Sequence, residues 1–131
     1  MTEARPENEH GAAAAVHSGN AAHDGQGRRG WFIGHFIEGG DLRTSKDVEV
    51  KWGIHRAGDQ RTEWAIGDNT TLCLLVSGRF QVSFISGPVE FTKPGDYVIY
   101  GPGVQHKWAA IDDSVVLTVR WPSDPTAAPR P

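Results

Sequence analysis

Residues 95–106, with the sequence GDYVIYGPGVQH, decide the fold of this chain. A run of β-branched and aromatic residues ends in the turn sequence GPG at 101–103, and a new alternating segment begins at His106. Glycine and proline favour a sharp chain reversal, so this pattern is typical of two strands joined by a tight turn. Because side chains alternate along a strand, His106 and Trp108 share one face while Lys107 takes the other. We therefore expect Lys107 to face water and the other two side chains to face inward.

Alternating segments of the same kind fill most of the chain between residues 31 and 122. The segment VEVKWGI at 48–54 has an apolar residue at every second position, and RFQVSFI at 79–85 repeats the pattern. SVVLTVRW at 114–121 is a further segment of this type. No stretch in this region has a sustained apolar period of about 3.6 residues. Short alternating strands separated by turn signals predict an all-β sandwich or barrel.

The two ends of the chain differ from this β region in composition. Residues 1–29 are rich in Ala, Gly, Asn, His and charge, with Val16 as the one sizeable apolar residue after the initial methionine. Such a segment buries too little surface to offset its ordering entropy. The last nine residues, SDPTAAPRP, are proline-rich and of the same kind. We expect a disordered tail over 1–29, one β domain over 30–122 and a C-terminal tail over 123–131.

Bulk composition narrows the partners and the compartment. The chain has 131 residues, the size of one domain, and a formal net charge of −3. This mild charge predicts no broad attraction to nucleic acid or to an acidic membrane. The single cysteine, Cys73, lies in the apolar run LCLLV and is typical of a small core residue in a reducing compartment. Without a secretion signal or an apolar run of about 20 residues, we expect a cytoplasmic protein with neither a membrane nor a nucleic-acid partner.

The order of strands and the turn at 101–103 resemble a cupin, a small jelly-roll barrel. The second cupin motif has a Gly, five residues, a Pro, one residue, a Gly, two residues and a His. Gly95, Gly101 in the place of the proline, Gly103 and His106 have this spacing. The resemblance implies a cupin-type jelly-roll barrel, also called a double-stranded β-helix.

The first cupin motif fits in its spacing but not in its metal ligands. It has a Gly, five residues, His-x-His, three or four residues, a Glu, six residues and a Gly. Counted back from Gly78, the Glu position is Thr71, the two His positions are Trp64 and Ile66, and the opening Gly is Gly58. The donors that hold iron, manganese or zinc (Fe, Mn or Zn) in such a barrel are therefore replaced. The resemblance implies the fold, and we expect no metal cofactor.

The main functional hypothesis is a small, partly apolar ligand held inside the barrel. The predicted lining is Trp64, Ile66, Thr71, His106 and Trp108. Two indoles can stack on an aromatic or sugar-like molecule, and an imidazole can orient it. Arg61 lies on a loop from which it can reach an anionic ligand at the barrel mouth. The protein would act as a sensor, carrier or accessory protein, or as an acid–base enzyme in which His106 is catalytic.

The alternative hypothesis is a divalent-metal oxygenase or isomerase. It would use iron, manganese or zinc (Fe, Mn or Zn) held by His55, Glu63 and His106. His55 falls on the face of its strand opposite Trp52 and Ile54, so the alternative requires that face to be the interior. Glu63 precedes a residue expected to point inward, so by alternation it should point away.

Three further features leave their roles open. Tyr97 and Tyr100 lie on opposite faces of one strand, so one of them could act as an acid beside His106 as the base. Arg120 would grip a carboxylate if it faced inward and would be a plain surface residue if it faced outward. The apolar segment WFIGHFI at 31–37 could cross to a partner and protect an edge strand, and we expect a homodimer.

Overall fold

The structure, a computed structural model, describes residues 15–126 and consists almost entirely of antiparallel strands, so the predicted all-β class is confirmed. The elements are α1 (Ala21–Asp24), β1 (Trp31–Ile33), β2 (Glu49–His55), β3 (Thr70–Ser77), β4 (Phe80–Phe84), β5 (Gly87–Phe91), β6 (Tyr97–Tyr100), β7 (His106–Ala110) and β8 (Ser114–Trp121). The parts of the predicted tails at 1–14 and 127–131 lie outside the described residues. Within 15–126, no helix is long and apolar enough to cross a membrane.

The strands form two sheets that enclose the core. One sheet has five strands in the order β1-β2-β8-β3-β6, and the other has three in the order β5-β4-β7. β8 lies at the centre of the larger sheet, where Thr118 is opposite Lys51 of β2 and Cys73 of β3. Side chains of these three strands therefore stand in rows across the inner face of the sheet.

The three-stranded sheet has the expected pattern, with apolar side chains inside. Phe80 and Val82 of β4 are 4% and 2% exposed and alternate with the half-buried Gln81 and Ser83. Phe80 stacks on Phe91 of β5 with ring centroids 6.4 Å apart. Burial of an apolar side chain of this size contributes about 1.5–3 kcal/mol, so this sheet supplies much of the apolar core.

The five-stranded sheet differs, because its inner face carries charged residues beside the buried Leu75 and Val116. Lys51 and His55 of β2 and Arg120 of β8 all line the interior of the barrel. Trp52 and Ile54 face away from it, and Ile54 is 63% exposed. The face of β2 that carries His55 is therefore the inner one, as the metal-dependent alternative required. Alternation determines which residues share a face, but it does not determine which face is covered by the second sheet.

The packed domain extends past both predicted limits. Gly25 is buried, and the carbonyl of Gly30 accepts a hydrogen bond from the backbone N–H of Trp52 at 2.9 Å. A Cβ on Gly30 would lie 2.4 Å from the carbonyl oxygen of Trp52, and its φ is +97°, so this contact requires glycine. At the other end, Ser123 is 0% exposed. Gly25 and Ser123 are thus packed against the rest of the domain, although both lie in segments predicted as tails.

The segment at 31–37 packs on its own barrel. β1 pairs with β2, and Trp31 and Ile37 are each 3% exposed. Their apolar surface is therefore already buried within one chain. In the single chain this segment covers its own sheet, and its crossing to a partner stays a prediction.

Candidate functional site

A cavity of about 170 Å³ lies between the two sheets. Its lining residues are Arg29, Lys51, His55, Arg61, Cys73, Phe80, Val82, Tyr100, His106, Trp108, Val116, Thr118 and Arg120. A more open hollow of about 410 Å³ lies between the α1 segment and β2, and it shares Arg29, Lys51, His55 and Trp108 with the cavity. The cavity therefore adjoins open space on the side of the N-terminal segment.

Four cationic side chains line the cavity, Arg29, Lys51, Arg61 and Arg120, and we call them together the cationic wall. Lys51 comes from β2 and Arg120 from β8, while the other two come from the segments before β1 and β3. No aspartate or glutamate is among the described residues that line the cavity. Four cations without a lining carboxylate give the cavity a cationic character, to which Glu49 beside Arg120 is the nearby counter-charge.

Two side chains behind the cavity hold Arg120 in place. Its guanidinium lies 4.7 Å from the centroid of the Trp31 ring. Its Nη1 is 3.6 Å from Oε1 of Glu49, which is 2% exposed. The hydroxyl of Ser123 donates to the other oxygen of Glu49 at 2.9 Å. Since Glu49 does not line the cavity, its carboxylate orients Arg120 without occupying the space where a ligand would bind.

Lys51 is the cation most affected by burial. Burial, followed by the charge of Arg120, lowers the pKa of Lys51 to about 8. Its Nζ lies 5.8 Å from the centroid of the Trp31 ring. A fraction of the Lys51 side chains is therefore neutral near physiological pH, and an anion placed beside it would favour the charged form.

Arg29 and Arg61 reach the cavity from irregular segments. Arg29 has a φ of 57°, in the left-handed region that is uncommon for residues other than glycine. The backbone N–H of Arg61 donates to the carbonyl of Trp108 at 2.9 Å, which ties its loop to β7. Local backbone contacts thus position these two cations, and regular strand geometry positions the other two.

Three rings that contact one another also line the cavity, those of Phe80, Trp108 and His55, and we call them the aromatic wall. The Phe80 and Trp108 rings stack with centroids 5.5 Å apart and an interplanar angle of 19°. The His55 ring lies 4.4 Å from that of Trp108. Burial, followed by the charge of Lys51, lowers the pKa of His55 to about 4, so His55 is neutral at physiological pH. The aromatic wall therefore offers flat, uncharged surface to a ligand.

His106 provides a hydrogen-bond acceptor within the cavity. It begins β7 and is 8% exposed, and its Nδ1 lies 3.1 Å from the carbonyl oxygen of Val104. Since a carbonyl only accepts hydrogen bonds, Nδ1 carries the proton and Nε2 is the acceptor. Burial lowers the pKa of His106, and the charges of Arg120 and Arg61 contribute in the same direction. The neutral imidazole is suited to accept a hydrogen bond or a proton from a ligand.

Neutral polar groups complete the site. The ring of Tyr100 lies 4.6 Å from that of His106, and burial raises the pKa of Tyr100 well above its usual range. Thr71 is its cross-strand neighbour on β3. Burial also raises the pKa of the Cys73 thiol, whose Sγ is 3.9 Å from Oγ1 of Thr118. These groups can donate hydrogen bonds without adding charge.

The structure brings only some of the predicted lining residues together. His106, Trp108 and Arg61 all line the cavity. Thr71 is 3% exposed and lies behind the cavity, in contact with Tyr100 rather than with the open space. Tyr97 faces outward, so Tyr100 is the tyrosine that accompanies His106.

Trp64 and Ile66 lie outside the barrel, with 41% and 58% of their surface exposed. Nζ of Lys107 lies 4.5 Å from the centroid of the Trp64 indole, on the outer side of β7. Ala65 between them is the buried residue, at 7% exposed, and its backbone bridges to β7. The expectation that both side chains point inward is wrong. Residues 56–69 do not form a regular strand. Counting along the motif therefore assigns inward positions to Trp64 and Ile66, whereas Ala65 between them is the buried residue.

The donors inside the barrel do not fit a tightly bound divalent metal ion. His55 and His106 both line the cavity, but Glu63 is exposed on its loop and does not. Among residues 15–126, no three His, Cys, Asp or Glu side chains come close enough to hold a metal ion. Such a site needs three or four converging donors, and the cationic wall would repel a dication. The residues present thus do not fit the metal that the resemblance to cupins would imply.

Sequence reasoning missed Arg29 and Lys51 and left the direction of Arg120 open. Lys51 carried a usable signal in the sequence, because alternation places it on the same face of its strand as His55. In the structure it pairs with Thr118 of β8, so polar side chains lie side by side on this face. Arg29 carried no such signal, since its position depends on the turn after α1.

Comparison with solved structures identifies the architecture of this barrel. KdgF from Halomonas sp. superposes with a TM-score of 0.55 at 20% identity, over 60% of this chain and 72% of that chain. A cupin superfamily protein from Desulfitobacterium hafniense DCB-2 has a TM-score of 0.54 at 17% identity, over 59% and 69%. The chain has the small cupin fold. The predicted jelly-roll barrel is confirmed.

The solved structures that are similar in fold include an enzyme. The DMSP lyase DddQ from Ruegeria pomeroyi DSS-3 has a TM-score of 0.56 at 20% identity, over 66% of this chain and 43% of that chain. No protein-family model and no protein of curated function matches the chain. At these identities the likeness extends to the cupin fold alone, so the residues inside the barrel must indicate what this cupin does.

Proposed function

We propose that this cupin barrel binds a small organic anion with an apolar body, such as an aromatic or short aliphatic carboxylate. The observation that supports this most is a cavity lined by four cations and, among the described residues, by no carboxylate. The charged end of the ligand would contact the cationic wall, and its body would lie against the aromatic wall.

Electrostatics favours an anion over a neutral ligand. Buried cations lose hydration and repel one another, which opposes folding unless an opposite charge is supplied. The lowered pKa of Lys51 reflects this penalty. A carboxylate relieves it and can accept paired hydrogen bonds from a guanidinium, as with Arg120 or Arg61.

The size of the cavity limits the ligand. Pockets for drug-sized molecules measure about 300–1,000 Å³, whereas this cavity measures about 170 Å³. A single ring or a chain of a few carbons with one or two carboxylates is therefore the expected scale.

His106 would determine whether the bound anion is only held or is also transformed. Its Nε2 can accept a hydrogen bond from a ligand hydroxyl, which suits a sensor or accessory protein. The same atom could accept a proton from a carbon beside the carboxylate, with the Tyr100 phenol as a neutral donor, which suits an acid–base enzyme. The metal-dependent alternative has less support, because only two histidines share the cavity with the cationic wall.

Calorimetry with three isosteric probes tests the proposal. Benzoate is expected to bind, whereas neutral benzamide and cationic benzylamine are not; acetate, pyruvate and succinate extend the series if the ring is too large. Lys51→Met and Arg61→Gln are expected to weaken benzoate binding by about tenfold or more. Lys107→Met and Arg56→Gln remove the same charges outside the cavity and should change Kd by less than about twofold.

Two outcomes would overturn the proposal. One is that none of the carboxylates binds at millimolar concentration, or that the inner and outer variants weaken binding equally. The other is stoichiometric iron, manganese or zinc in untagged purified protein that is lost in His106→Ala, which would support the metal-dependent alternative.

A further inference from the structure

Lys51 differs from the other lysines of the chain in its position. Lys46 and Lys93 are exposed, and Lys107 lies against the outer indole of Trp64. Lys51 lines both the enclosed cavity and the more open hollow beside it. Its side chain therefore lies at the boundary between the two spaces, where a molecule in the cavity can contact it.

Neighbouring groups hold the Lys51 side chain beside an arginine. Its stem approaches the backbone of Gly30 so closely that a Cβ on Gly30 would lie 3.3 Å from Cγ of Lys51. Nζ of Lys51 lies 5.8 Å from the centroid of the Trp31 ring, and the guanidinium of Arg120 lies 4.7 Å from the same centroid. An amine and a guanidinium thus adjoin one ring at the edge of the cavity.

The surroundings of Lys51 favour a neutral, nucleophilic amine. Burial, followed by the charge of Arg120, lowers its pKa to about 8, and Arg29 and Arg61 act in the same direction. At pH 7.5 roughly a quarter of such amines are neutral, against about one in a thousand for an ordinary lysine. A lysine that is desolvated and placed beside other cations is a nucleophile toward carbonyl carbons.

We propose that Lys51 forms a covalent imine with a small oxo acid whose carboxylate is bound by the arginines of the cationic wall. This inference rests on the anion-binding function proposed above and narrows its ligand to a carboxylate that also carries a ketone or aldehyde. A guanidinium would hold the carboxylate and so place the neighbouring carbonyl carbon against Nζ. An acid of about three to five carbons suits a cavity of about 170 Å³.

Imine formation needs no reagent besides the oxo acid. The lone pair of neutral Nζ attacks the carbonyl carbon, the C=O π bond breaks, and a proton moves from nitrogen to oxygen to give a carbinolamine. The nitrogen lone pair then expels the hydroxyl group, which takes up a proton and leaves as water. Counted from the ammonium form of Lys51, the products are a protonated imine and water, with no net proton gained or lost.

His106 is suited to move the proton between the two atoms. It lines the same cavity, and its neutral Nε2 is a hydrogen-bond acceptor because Nδ1 faces the carbonyl of Val104. Nε2 can take the proton from the attacking amine and return it to the oxygen. The acid–base role proposed for His106 thus acquires a defined partner in Lys51.

Reductive trapping with pyruvate and cyanoborohydride tests this proposal on the full chain at pH 7.5. Reduction of the imine leaves a carboxyethyl group on Nζ, which mass spectrometry of peptides locates. We expect Lys51 to be labelled at least about tenfold faster than Lys46, Lys93 or Lys107 of the same molecules. Hydroxyacetone, a neutral ketone of similar size, should lose most of this preference because it has no charge for the arginines to hold.

Three variants separate binding of the acid from reactivity of the amine. Arg61→Gln removes a cation from the cavity and should slow the labelling of Lys51 by about fivefold or more. Arg56→Gln, on the same connection but outside the cavity, should change it by less than about twofold. Lys51→Arg should abolish the label at this position and leave the other lysines as they are in wild type.

Labelling of Lys51 no faster than that of the exposed lysines, in a protein that calorimetry shows to bind pyruvate, would overturn the imine and leave the anion proposal standing. Absence of both carboxylate binding and preferential labelling would overturn both. Equal slowing by Arg61→Gln and Arg56→Gln would also contradict the imine proposal. The comparison among lysines is made within the wild-type chain, so it does not depend on the folding of a variant.

Discussion

The two sheets of the barrel differ in where they place charge. In the three-stranded sheet, Phe80 and Val82 face inward, and Gln81 and Ser83 face outward. The inner face of the five-stranded sheet carries charged residues beside the buried Leu75 and Val116, and its outer face is apolar. The first arrangement is what an isolated sandwich needs, whereas the second leaves some charge buried and some apolar surface exposed.

The inner face of the five-stranded sheet contributes Lys51 and Arg120 to the cationic wall, for which we propose an anion. Its outer face carries apolar cross-strand rows, such as Trp52, Leu117, Leu74 and Tyr97. Under this proposal the five-stranded sheet holds buried charge for a ligand at a cost in stability, which the three-stranded sheet does not.

The largest expected difference between the sheets is in the free energy of unfolding. Phe80→Ala should lower it by about 3–5 kcal/mol, because a large core ring is removed from the three-stranded sheet. Lys51→Met on the inner face of the other sheet should lose nothing and should gain up to about 1 kcal/mol, because a desolvated charge is replaced by an apolar chain. Urea denaturation at pH 7 without ligand measures both.

If Lys51→Met instead destabilises the protein by more than about 1 kcal/mol, Lys51 is held by contacts that stabilise the fold, and the contrast between the sheets fails. Lys107→Met, on the outer side of β7, is the matched control and should be within about 0.5 kcal/mol of wild type.

Alternation along the chain predicted the smaller sheet well. The inward positions of Phe80, Val82, His106 and Trp108 result from a period of about two residues and from the turn that precedes β7. These strands have one apolar and one polar face, so periodicity and burial agree. The strands and the fold class could therefore be read from the sequence.

The candidate site could be predicted only in part, for two physical reasons. In β2, the more apolar face, with Trp52 and Ile54, is the outer one, and only the position of the second sheet decides this. At Trp64 and Ile66 the chain is not a regular strand, so spacing does not determine direction. Arg29 is placed by a left-handed residue after a four-residue helix, a local conformation that periodicity does not reveal.

A smaller expected effect is a loss of folding stability in acid, caused by the protonation of His55 in the aromatic wall. The pKa of His55 is about 4 in the folded chain and 6.5 as its ordinary value, so the unfolded chain binds more protons between these pH values. The contribution of neutral His55 to the free energy of unfolding is therefore fully present above pH 6.5. It is lost as the pH falls toward 4, by about 1–2 kcal/mol. His106 contributes in the same direction, because its pKa is also lowered.

Urea denaturation between pH 4 and pH 7.5 measures this slope. His55→Asn should flatten it relative to wild type, and the exposed His23→Asn should not. A wild-type stability that stays constant or rises as the pH falls over this range would show that His55 is not held as a buried neutral ring.

The smallest expected effect is the pH dependence of anion binding to the cationic wall. Above pH 8, the pKa of Lys51, an increasing fraction of Lys51 is neutral, while arginine side chains stay protonated. Burial holds the pKa values of Cys73 and Tyr100 above their ordinary ranges and those of His55 and His106 below, so these groups do not change charge between pH 7 and 9.

We therefore expect the affinity for benzoate to be constant near pH 7 and to fall about two- to fivefold by pH 9, since one of four cations is lost. Calorimetry in two buffers of different ionisation enthalpy should also show proton uptake on binding near pH 8, because the anion raises the pKa of Lys51. Lys51→Arg should bind with an affinity independent of pH over this range. An affinity that falls equally in Lys51→Arg would assign the titration to another group and would remove Lys51 from the ligand contacts.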